Sequence, residues 1–204
     1  MAVTYPLTLP TTGISSVEFR AVTANTTSQS PFTFKQQIVS YGGSRLEATV
    51  NLAPMKRADA ALWKAALISL KGPLGTFLMG DPNYPLPRGT LRSTSAQQFA
   101  SVSGNAGDTF FTITMTNQSD TLLAGDYIQV GLESGARLYQ VLEDQTGSGT
   151  IEVYPNLQTT YSGELVGTND PKGVFRLSSN VTSWSIDNAS VYGISFDCVE
   201  AITG

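Results

Sequence analysis

The chain has no histidine. That removes the side chain best placed to act as a general base near neutral pH, any Ser-His-Asp arrangement, and the commonest metal ligand. A single cysteine, Cys198, excludes an internal disulfide and a zinc site of the usual kind. It alternates with apolar residues and reads as a small buried hydrophobe. Charge is scarce: 12 basic and 16 acidic residues among 204, or 14%, where about a quarter is usual. The few Lys and Arg form no cluster. A protein that grips phosphates carries a basic stripe, so direct nucleic-acid binding is not expected. No window approaches the ~20 apolar residues of a membrane helix. The start, MAVTYPLTLPTTG, lacks the basic and apolar regions of a signal peptide. GxSxG, P-loop, GxGxxG and HExxH motifs are all missing. No catalytic, cofactor-binding or metal-binding residue is therefore assigned, and no enzyme activity is expected.

What is present is an ordinary apolar fraction, 41%, with a polar surface drawn from Ser, Thr, Asn, Gln and Gly. That balance suits β-rich extracellular or virion proteins. The net charge of −4 is compatible with a passage along which DNA slides without sticking. Asn-x-Ser/Thr triplets at Asn25, Asn117, Asn180 and Asn188 are read as chance in a chain this rich in Ser and Thr.

The one convincing helix lies in the stretch 54–82, PMKRADAALWKAALISLKGPLGTFLMGDP. Trp63, Ala66, Leu67 and Leu70 recur at i, i+3, i+4 and i+7, an apolar stripe of period 3.6. Asp59 suits the first turn and Lys71 the last. Gly72-Pro73 ends the helix, because Gly takes a left-handed cap and Pro cannot continue the ladder. The run 76–79 and the Gly80-Asp81-Pro82 turn follow.

Nearly everything else reads as strand and turn. Residues 1–13 form an extended arm, disordered or lying on a neighbouring subunit. Residues 14–22 alternate as a strand, and 24–31 read as a polar loop. Residues 32–41 read as a strand with Phe32, Phe34 and Ile38 on one face. Gly42-Gly43 is a hairpin turn signal. Leu46, Ala48, Val50 and Leu52 then face inward, with Arg45, Glu47, Thr49 and Asn51 outside. A Pro-rich turn at 81–88 leads to a polar stretch at 92–107. From Thr109 short strands recur between Gly turns, including Phe111, Ile113 and Met115, then Ile128 and Val130, then 138–142 and 151–154. Segments 163–167 and 174–177 close the set into a small barrel. Residues 181–186 carry Trp184. Tyr192, Ile194, Phe196 and Cys198 form a last alternating face. The chain is long enough for one large or two small domains. The fold class is mainly β: a β-sandwich at 1–90, completed by 176–204, with one flanking helix and a small β-barrel inserted at 91–175.

Glu133, Glu143 and Asp144 surround one predicted hairpin. They read either as a calcium site or glycosidase pair or as solvated turn residues. Asp126 and Asp81 read as turn formers. Tyr5, Tyr41, Tyr84, Tyr154 and Tyr161 either line a sugar-binding surface or pack at strand ends and subunit contacts.

Three stretches together resemble tail proteins of long-tailed (siphovirus-type) bacteriophages. The first runs from Ala53-Pro54-Met55-Lys56-Arg57 through Trp63 and Leu70-Lys71-Gly72 to Gly75-Thr76-Phe77-Leu78-Met79-Gly80-Asp81-Pro82. The second is Leu123-Ala124-Gly125-Asp126-Tyr127-Ile128-Gln129-Val130-Gly131 with Tyr139-Gln140-Val141-Leu142 and Val153-Tyr154-Pro155-Asn156-Leu157. The third is Lys172-Gly173-Val174-Phe175-Arg176-Leu177 with Ile194-Ser195-Phe196-Asp197-Cys198-Val199-Glu200. Within that group the order of motifs is most similar to the distal tail protein family. The resemblance implies a tail-tube-like sandwich that assembles into a ring, hexameric in that family. Such a ring joins the tail tube to the hub and fibres of the tail tip or baseplate, and a second β domain often projects outward from it. In better-known members the outer domain follows the ring domain, whereas here it is inserted. The alternative readings are a host-surface carbohydrate-binding module of a tail, used in host attachment, or another tail-tube or tail-completion subunit.

Overall fold

A computed structural model describes residues 3–93, 99–186 and 192–202. The chain runs β1 (Leu7–Thr8), β2 (Ile14–Gln29), β3 (Gln36–Leu52), α1 (Arg57–Ser69) and β4 (Phe77–Met79). It continues through β5 (Ala100–Gly104), β6 (Phe110–Met115), β7 (Thr121–Leu122), β8 (Tyr127–Val130) and β9 (Arg137–Val141). The remaining strands are β10 (Gln145–Thr146), β11 (Gly149–Tyr154), β12 (Tyr161–Gly167), β13 (Gly173–Leu177), β14 (Trp184–Ile186) and β15 (Tyr192–Glu200). Among the described residues the protein is mainly β, with one α-helix and one small barrel. No helix among the described residues is long and apolar enough to cross a membrane.

Seven strands form one continuous sheet in the order β1-β4-β13-β15-β3-β2, with β14 paired to β15. The sandwich expected from the sequence thus takes the form of a single sheet with α1 against its apolar face. Alternation decides that face. Leu46, Ala48, Val50 and Leu52 of β3 and Tyr192, Ile194 and Cys198 of β15 are all buried in one cluster with Trp63, Leu67 and Leu70. Trp63 also donates its indole N–H to the Thr12 carbonyl at 2.9 Å. Ala66, the fourth member of the stripe, is only half-buried. The helix ends at Ser69, two residues before Lys71, so Lys71 is not in its last turn. Lys71 (φ 54) and Gly72 (φ 69) both take left-handed backbone there, so the chain reverses onto Pro73 and leads into β4.

Several expectations change. The N-terminal arm lies on its own chain: β1 pairs in parallel with β4, and the Tyr5 hydroxyl donates to the Ser69 carbonyl at 2.7 Å. Residues 24–29 continue β2 instead of forming a loop, and Gly42-Gly43 is not the hairpin turn. The turn is at 30–35, where Ser30 and Lys35 and then Phe34 and Ser30 are bonded through the backbone at 3.0 Å. Phe32 and Phe34 sit in that turn and not on a strand face. At Gly42 the ladder shifts register, from Thr23 opposite Ser44 to Asn25 opposite Ser40. The glycine therefore supplies a bulge (φ 71), which takes up extra residues on β3 and bends the pair without ending it.

The barrel closes in the order β11-β6-β5-β12-β8-β9. Phe111, Ile113, Val130, Tyr139, Val141, Ile151 and Val166 fill it, so it is packed rather than hollow. β12 is its last strand in sequence. Residues 174–177 do not join it: β13 pairs instead with β4 and β15 of the large sheet. Trp184 lies on the short outer strand β14 and is exposed. Outgoing and returning linkers cross at Gly80, where a Cβ would collide with the Pro171 carbonyl. The barrel packs against the large sheet through Tyr127, whose ring lies tilted with its centroid 6.0 Å from that of Phe19, and through Leu138, which enters the main core.

Candidate assembly surface

β2 and β3 outrun their sheet. β15 pairs with β3 only over 47–51, whereas the β2–β3 ladder continues to Gln29 and Gln36. Beyond Ser44 the two strands form a free ribbon about 20 Å long. Every residue from 23 to 43 except Ser30 is exposed. Among them are Phe32 at 91%, Phe34 at 72%, Tyr41 at 70% and Ile38 at 64% exposure. Large apolar side chains gathered on one exposed element mark an interaction surface, and an isolated two-stranded ribbon is only marginally stable in water.

The barrel braces the root of this ribbon. Tyr154 donates its hydroxyl to the Val22 carbonyl at 2.7 Å, with the Arg45 carbonyl at 3.2 Å. Asn156 Nδ2 donates to the Gly42 carbonyl at 2.9 Å, and Gln158 Nε2 donates to the Ser44 carbonyl at 3.0 Å. The Gly42, Ser44 and Arg45 carbonyls belong to β3 beyond the reach of β15, and the Val22 carbonyl belongs to β2, so the barrel grips both strands of the ribbon's root. The ribbon's direction is thus set by the barrel as well as by the sheet.

A groove of about 270 Å³ lies at the other end of the same strands. Ile14, Val17, Trp63 and Phe196 make its apolar floor, and Asp81, Asp170 and Lys172 stand among its lining residues. Lys172 Nζ is bonded to Asp170 at 2.6 Å. Asp81 accepts the Asn83 N–H at 2.9 Å, as a turn former does.

The structure disperses the other candidates. Glu133 is exposed in a short 3-10 turn between β8 and β9. Glu143 accepts the Glu152 N–H at 3.2 Å, and Asp144 accepts the Ala124 N–H at 2.8 Å. No group of three His, Cys, Asp or Glu side chains suited to a metal comes together among the described residues. Tyr41 lies on the ribbon and Tyr84 on the linker, while Tyr161 bonds to Tyr139 inside the barrel at 2.9 Å. Asp126 is buried and ties the linker to the barrel: it accepts the N–H groups of Arg88 (2.7 Å), Gly89 (3.0 Å) and Leu123 (2.9 Å). Burial pushes the Cys198 thiol up to about 12, and its Sγ lies 3.4 Å from the Ala48 carbonyl. Asn188 lies outside the described residues.

Glu200 is the functional-type residue that the sequence reading missed. It is buried, and one oxygen accepts the Leu46 N–H at 3.2 Å. Burial raises its pKa to about 7 against the opposing pull of that bond and of Arg137. The signal was there: the alternation 192, 194, 196, 198, carried one step further, places Glu200 inside. No protein-family model matches the chain, and no curated protein matches its sequence.

Proposed function

We propose that this chain is a structural virion protein of a phage tail tip that assembles into a ring joining the tail tube to the hub and fibres. The single observation that carries the reading is the braced ribbon with Phe32, Phe34, Ile38 and Tyr41 exposed. A subunit that must reach its neighbour needs a projecting element of this kind. The free edge of β2, last in the sheet order, adds unpaired backbone for another chain to cover. The resemblance to distal tail proteins supplies the ring, six-fold in that family, and the location at the virion's tail tip.

In this reading the role is architectural and no reaction is catalysed. The partners are further copies of the chain, the tail tube protein, and the hub and fibre proteins. DNA passes through the ring without specific contacts. Native mass spectrometry and particle images of the purified chain test it. A closed ring is the expected result, and a stable monomer at virion-like concentration would overturn the proposal.

A further inference from the structure

We infer that the ribbon tip at 32–35 of one copy seats in the apolar groove beside Asp81 of a second copy, joining subunits head to tail. This rests on the ring reading above and names the contact that builds it.

The tip is built to present an aromatic knob. Phe34 has φ 55, a left-handed conformation that bulky residues rarely adopt. Backbone bonds of 3.0 Å from Phe34 N to Ser30 O and from Ser30 N to Lys35 O hold it there. Strain kept in place by its surroundings concentrates where a surface has work to do. Lys35, the next residue, carries the only charge between Arg20 and Arg45. It has no ion-pair partner among the described residues.

The groove is the complement. An apolar cavity of about 150 Å³ is enough to hold benzene, and this groove has about 270 Å³ over Ile14, Val17, Trp63 and Phe196. At its margin Asp170 is neutralised by Lys172, while Asp81 has no cation within ion-pair distance among the described residues. One uncompensated negative charge therefore stands beside an apolar hole. An ammonium beside an aromatic knob matches it in sign and in chemistry.

The two features cannot meet within one chain. Val17 and Ser30 are 13 residues apart along β2 and its turn, about 40 Å of extended backbone. A knob and a hole at opposite ends of a rigid element make a heterologous contact, which closes into a ring when the rotation per subunit allows it. The exposed ribbon also supplies about 20 residues, the complement of a standard-sized interface on one side. A central aromatic anchor is the usual source of such an interface's energy.

The test uses the full chain as wild type and as Phe34→Ser, Lys35→Asp, Asp81→Lys and the double charge swap Lys35→Asp/Asp81→Lys. Circular dichroism establishes that each variant is folded, and sedimentation velocity with native mass spectrometry reads assembly. Each single substitution is expected to weaken assembly at least tenfold, and the double swap to restore it. A mixture of Phe34→Ser copies, with a hole and no knob, and Asp81→Lys copies, with a knob and no hole, is expected to stop at dimers. Single variants that assemble like wild type, or mixtures that build full rings, would overturn this contact and leave the ring reading standing. A wild-type chain that stays monomeric would overturn both.

Discussion

Ser44 and Asn156 are bonded to each other twice. The Ser44 hydroxyl donates to Asn156 Oδ1 at 2.9 Å and accepts the Asn156 N–H at 2.7 Å. One residue belongs to the root of the ribbon and the other to the loop after the barrel strand β11. Through this pair the barrel holds the ribbon.

Asn156→Ala removes the carboxamide that binds Ser44 and Gly42 but leaves its backbone N–H in place. The expected loss is about 1–3 kcal/mol. The local effect should be sharper: amide exchange at 36–44 should speed up while the barrel interior stays protected. Unchanged exchange at the ribbon would show that the sheet alone sets its direction.

Trp63→Ala empties the centre of the main core and orphans the Thr12 carbonyl. The expected destabilisation is about 3–5 kcal/mol, measured by urea unfolding. An unchanged midpoint would mean that this indole does not support the sheet.

Asp126→Ala leaves the N–H groups of Arg88, Gly89 and Leu123 without their acceptor. Unsatisfied buried donors cost about 1–3 kcal/mol each, so the melting temperature should fall by several degrees or the chain should fail to fold. Asp126→Asn, which keeps one acceptor oxygen, should fall between this variant and wild type.

Glu200 makes stability depend on pH. Its folded pKa, about 7, lies above the ordinary 4.5, chiefly through burial. The folded protein therefore holds this proton more tightly than the unfolded chain does. The stabilisation is complete below about pH 4.5 and is lost as pH rises toward 7. Facing it are the Arg137 guanidinium, which favours the charged form, and the Tyr139 and Tyr161 hydroxyls. The span is worth about 3 kcal/mol. Urea unfolding of wild type at pH 5 and pH 8 should show the loss, and Glu200→Gln should flatten it. Parallel curves for the two proteins would place the titration elsewhere.

Much of this was legible in the residues, because alternation is a local signal. The faces of β3 and β15, the stripe at Trp63, Leu67 and Leu70, and the pairing of β8 with β9 across 133–135 need only neighbours in sequence to be read. The ribbon was misread for the same reason. Gly42-Gly43 carries the chemistry of a tight turn, and only the pairing of Asn25 with Ser40 reveals a bulge. Phe32 and Phe34 look like core residues in sequence, yet nothing among the described residues covers them.

By itself the sequence determined which residues alternate, which face of the one helix is apolar, and that the chemistry of histidine and of paired cysteines is absent. Tertiary structure alone decided that β13 leaves the barrel for the large sheet, that Glu200 meets Leu46 across 154 positions, and that Asn156 reaches Ser44 across 112. Periodicity specifies which way a side chain points from its own strand. What it meets there depends on how distant strands pair, and that is settled only when the whole chain closes on its cores.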